Sequence, residues 1–145
     1  MKKFNESPII IESPFEPGKI ISITCHTFID ESYKVYEYFR ISDLSDITNI
    51  DPHTLRVYKD EEHNDFIEPI NLIKCFYYSR YAINTLPYND NSKPIINEQQ
   101  FKDFALKLVE SSINVHWYQQ SMAYSTYIHD LSLADDKKSF DDCFN

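Results

Sequence analysis

Lys-Ile-Ile-Ser-Ile-Thr-Cys-His-Thr-Phe-Ile (19–29) and Lys-Val-Tyr-Glu-Tyr-Phe-Arg-Ile-Ser (34–42), joined by Asp30-Glu31-Ser32-Tyr33, decide the fold. In the first stretch Ile21, Ile23, Cys25, Thr27 and Ile29 alternate with Ile20, Ser22, Thr24, His26 and Phe28, the period-two pattern of a strand. The second is rich in β-branched and aromatic residues, which suit a pleated, half-buried surface. Together they predict a hairpin. A helix over 33–47 is the alternative, because Tyr36, Phe39, Arg40, Asp43 and Leu44 are also spaced for one.

Before the hairpin, residues 1–18 hold Pro8, Pro14, Pro17 and Gly18 and read as an extended arm and a turn. After it, 43–53 reads as a polar loop. Short strands are expected at 54–59 and 66–68, on either side of a solvated polar tip at 60–65. Pro69 suits the first turn of a helix, predicted over 70–85. Its stripe is Ile70, Ile73, Tyr77 and Tyr81, with Leu72, Phe76 and Ile83 adjacent. Residues 87–94 are the clearest loop. Asn97 and Gln100 have the spacing of an N-cap and its reciprocal partner. Helices follow at 97–112, through Phe101, Phe104, Ala105, Leu108 and Val109, and at 116–131. The second continues a similar stripe through Trp117, Ser121, Tyr124, Ile128 and Leu131, with a break expected at Asn114 and Val115. The remainder, 132–145, is an acidic tail with Phe140 and Phe144 as docking points. Strands first and helices afterwards predict a single α+β domain, 1–145.

Composition narrows the chemistry. Gly18 is the sole glycine of 145 residues, where average usage of about 7% would give roughly ten. Glycine lets a backbone approach a phosphate closely, and neither a P-loop nor a dinucleotide-binding G-x-G-x-x-G occurs. Cys25, Cys75 and Cys143 are odd in number and widely spaced, which predicts neither a disulfide framework nor a zinc site. No window approaches 18 apolar residues, so neither a membrane span nor a membrane partner is expected, and a cytoplasmic location is. Cys25-His26 resembles a thiolate–imidazole pair only in sequence, since neighbours on a strand point to opposite faces. Asp60, Glu61, Glu62, His63 and Asp65 could offer oxygen ligands, but the glycine of a calcium loop is missing and no metal or other cofactor is expected.

The formal charge is −9, and it is uneven. Residues 30–68 hold eleven acids and four bases, a net of −7, whereas 69–129 carry four acids and five bases. Such a field disfavours direct binding of nucleic acid and favours a basic protein. Tyrosine gives large contact area at low side-chain entropy cost. The expected binding residues are therefore Tyr36, Tyr38, Asp43, Asp46, Asp51, Tyr58, Asp60, Glu61, Glu62 and Asp65, with Tyr36 and Tyr38 on the exposed face of their strand. No catalytic residue is expected. These features predict a small non-enzymatic inhibitor, of the bacterial immunity type, that covers the active site of a basic, nuclease-like toxin. The alternatives are a phage or mobile-element counter-defence protein, of anti-restriction or anti-CRISPR type, and a small enzyme without a familiar motif.

Overall fold

In the computed structural model residues 1–60 and 63–144 are described, with side chains as far as residue 134. Strands β1 (Lys2–Glu12), β2 (Ile20–Ile29), β3 (Val35–Arg40) and β4 (Phe66–Ile67) form one antiparallel sheet in the order β1-β2-β3-β4. Helices α1 (Ile41–Thr48), α2 (Pro52–Arg56), α3 (Pro69–Ile83) and α4 (Glu98–Phe144) complete the α+β architecture. The hairpin is present, with Cys25 opposite Phe39 and Ile29 opposite Val35.

Three predicted segments change identity. The arm is extended but not free: all of β1 pairs along β2, Ile9 opposite Ile23 and Ile11 opposite Ile21. Pro8 is tolerated there because β1 is an edge strand. The strand expected at 54–59 is absent. Asp51 instead caps α2, its Oδ1 accepting from the His53 N–H at 2.9 Å, with Pro52 pre-set for the first helical position. The loop expected at 43–53 is α1 running on to Thr48. The alternative helix over 33–47 is realised only from Ile41, whose N–H donates to the Asp65 carbonyl at 2.8 Å.

With one glycine, other residues take left-handed backbone positions. Gly18 has φ 82°, but Tyr33 (φ 61°) turns β2 into β3 and Asn49 (φ 56°) ends α1. The Asn49 amide then donates to the Asp90 and Lys93 carbonyls at 3.1 and 3.0 Å, and its Oδ1 accepts from Asn89 N–H at 3.1 Å. One buried side chain thereby holds the 87–94 loop against α1.

The main core lies between one face of the sheet and the helices. Ile9, Ile11, Ile23, Cys25 and Phe39 meet Leu44, Leu72, Phe101 and Leu108 there. Helix α4 begins as expected: Gln100 N–H donates to Asn97 Oδ1 at 2.8 Å, and Asn97 N–H donates to Gln100 Oε1 at 3.0 Å. The expected break at Asn114 and Val115 does not occur. Their propensity cost is a few tenths of a kcal/mol each, too little to end a packed helix. At 47 residues α4 is about 70 Å long, roughly twice a ten-residue strand. It therefore runs past the sheet. Residues 132–144 continue this helix, and the docking expected of Phe140 and Phe144 lies outside the described side chains.

Candidate partner-binding site

Strand β3 leads directly into α1, and α2 packs beside α1, while the acids of 30–68 are spread along the sheet rather than gathered at one point. Two expected residues, Asp46 of α1 and Asp65 of the turn before β4, come together. They line a cleft of about 440 Å³ with Tyr88 from the 87–94 loop. Arg40 and Arg56 line it as well, two of the chain's three arginines, so the local field is more mixed than the residue count implied.

The other expected residues have internal roles. Tyr38 is 1% exposed and is no surface anchor, a correction to the alternation reading. The cause is His63, which turns inward from the expected solvated tip while Asn64 and Asp65 stay exposed. His63 covers the second face of the sheet, stacking on Phe28 at 4.4 Å and sitting 5.6 Å from Tyr38. Phe66 meets His26 edge-on at 5.1 Å, and the Arg40 guanidinium lies 5.5 Å from its ring centre. Asp60 Oδ2 and His63 Nε2 are buried there without a hydrogen bond among the described residues. Tyr36 donates to Asp30 Oδ2 at 3.1 Å, and Tyr58 shares a hydrogen bond with Ser79 at 3.2 Å. Asp51 caps α2, and Asp43 is half-buried on α1. Glu61 and Glu62 lie outside the described residues.

Burial sets the chemistry of the titratable groups. It pushes the Cys25 and Cys75 thiols up to about 12, so neither is a thiolate at neutral pH. It lowers the pKa of His26, with Lys3 and Arg40 adding to the effect. Cys25 and His26 do lie on opposite faces of β2, as alternation requires.

A carboxylate–imidazole pair escaped the sequence reading. Glu37 of β3 and His116 of α4 approach to 2.9 Å, 79 residues apart. They line a cleft of about 330 Å³ with Lys34, Glu68, Ile70 and Ile113. Burial raises the pKa of Glu37 and the contact with His116 opposes that rise; burial also raises Glu68. Ser112 in the same cleft donates its hydroxyl to the Val109 carbonyl at 2.8 Å. The pair ties α4 to the sheet. No local spacing reveals such a contact, because it depends on α4 crossing β3.

Among the described residues no three His, Cys, Asp or Glu side chains are grouped to hold a metal ion. No described helix is long and apolar enough to cross a membrane. Comparison with protein-family models, with curated proteins and with solved structures finds no match to this chain.

Proposed function

We propose that the protein is a non-enzymatic binding protein whose Asp46–Asp65 cleft engages a basic protein, in the manner of an inhibitor that covers a toxin's active site. The observation that carries this reading is the meeting of Asp46 and Asp65, nineteen residues apart, around Tyr88 in one open cleft. An aromatic anchor beside carboxylates suits a basic partner, with the charges steering approach and the ring supplying contact area. Tyr88 replaces Tyr38 as that anchor.

Titration against a panel of basic nuclease domains, followed by calorimetry, tests the proposal. A partner should bind more tightly than about 1 µM, with an association rate that falls as salt rises. Replacing Asp46 and Asp65 together by lysine should slow association about tenfold. Absence of any such partner, or an association rate indifferent to both substitutions, overturns the reading.

A further inference from the structure

The middle of α4, which packs one side against the sheet, is built unlike the rest of the surface on its other side. Residues 111–129 contain no Asp, Glu, Lys or Arg, in a chain with 23 acids and 14 bases. The same stretch exposes Trp117 at 67%, Tyr124 at 58% and Ile128 at 61%. With Leu106, Ile113 and Leu131 these form one stripe, spanning less than a quarter of the circumference at about 100° per residue. Gln119 and Ala123, which face the sheet, lie on a different side of the helix.

We infer that this stripe is a homodimer interface, formed by antiparallel pairing of α4 with α4 of a second copy. Three observations select a second copy. The first is charge. Two chains of −9 repel each other over most of their surfaces, and 111–129 is where they can approach without setting like charges together. A basic protein would find no carboxylate there, and a helix lying on a membrane would present Lys or Arg on its polar face. Depletion of charge with enrichment of Trp, Tyr and Met is the composition of an interface centre.

The second is area. The exposed parts of Ile113, Trp117, Tyr124 and Ile128, with Ile70 beside Ile113, add to on the order of 600 Å² per copy, about the lower bound of a stable interface.

The third is self-complementarity. A two-fold axis passing between Gln120 and Ser121 sets Trp117 against Tyr124 of the second copy and Ile113 against its Ile128. Ile113 lines the cleft between α3 and α4 together with Ile70. Residues 124–128 of each helix thus lie along the α3–α4 cleft of the other, and both copies bury the same residues, as a two-fold interface requires.

Sedimentation of the full chain from about 1 to 100 µM tests the inference, because a surface of this size should show a dimer within that range. Replacing Trp117 by serine and Ile128 by aspartate should weaken self-association at least tenfold while the circular dichroism spectrum is kept, since neither side chain is in the core. Ser121→Cys, in a Cys143→Ser background, should oxidise to a covalent dimer because position 121 lies beside the axis. Ser125→Cys, in the same background, should not. A monomer throughout the range overturns the inference, including one that sediments with zwitterionic lipid vesicles. So does a dimer that survives the double substitution, or equal cross-linking at 121 and 125. None of these outcomes bears on the acidic cleft, whose substitutions are Asp46 and Asp65.

Discussion

The two halves of α4 obey opposite rules. Over 98–115 the apolar residues Phe101, Phe104, Ala105 and Leu108 face the core, and Lys102, Asp103 and Glu110 face water. Over 116–134 the buried positions are Gln119 and Ala123, and the outward ones include Trp117, Tyr124, Ile128 and Leu131. Both halves carry an apolar stripe at helical spacing. Periodicity shows that a helix has an apolar face, and not which neighbour covers it. Gln119 replaces apolar packing with bonds to β1: Asn5 donates to its Oε1 at 3.3 Å, and its Nε2 donates to Ser7 Oγ at 3.4 Å. Gln120 donates to the Tyr33 carbonyl and accepts from Val35 N–H. One half is held by burial of hydrocarbon and the other by amides.

The contrast is broken most severely by Phe101→Ala, which should cost about 3–5 kcal/mol in urea unfolding by emptying a packed site. Gln119→Ala should cost about 1 kcal/mol, because it removes two hydrogen bonds whose partners, exposed Asn5 and half-buried Ser7, can turn to water. The join between the halves, at His116, gives a smaller effect that depends on pH. Glu37 has a raised pKa, so the native state holds its proton to higher pH than the unfolded chain does. That contribution is complete below about 4.5 and is lost as pH rises through the native value. Glu37→Gln should flatten this fall in stability between pH 4.5 and 7, as read by thermal melts; an unchanged pH profile would remove Glu37 as its source. The least effect belongs to Trp117→Ala, expected to change monomer stability by less than about 0.5 kcal/mol in dilute solution.

What could be read from the sequence followed the same division. The hairpin was legible because 20–29 and 35–40 are rich in β-branched and aromatic residues, although burial on both faces of 25–29 and at Tyr38 was not. The start of α4 was legible because Asn97 and Gln100 make their own contacts. Strand β1 was hidden, since an edge strand containing Pro8 resembles a loop locally and is defined by β2. At 54–59, Leu55, Val57 and Tyr58 suggested a strand, while Asp51-Pro52 carried the stronger helix signal. On α3 the stripe Ile70, Ile73, Tyr77 and Tyr81 was read as the apolar face, and of these only Ile73 packs against the core. It is Leu72, Cys75 and Ile83 that are buried, because the sheet and α4 lie on that side. At the site, Asp46 and Asp65 were found from charge alone. Tyr88 and the Glu37–His116 pair were not, because tertiary contacts create both.

Strand β1 has a consequence for the fate of this protein at high concentration. Its outer edge is long enough to template a further strand, which is how sheets grow into aggregates. Pro8 lacks an N–H near the middle of that row, the register shifts between Lys3 and Asn5, and Lys2, Lys3, Glu6 and Glu12 punctuate it with charge. The same proline that hides the strand from a reader of the sequence blunts it as a seed for fibrils.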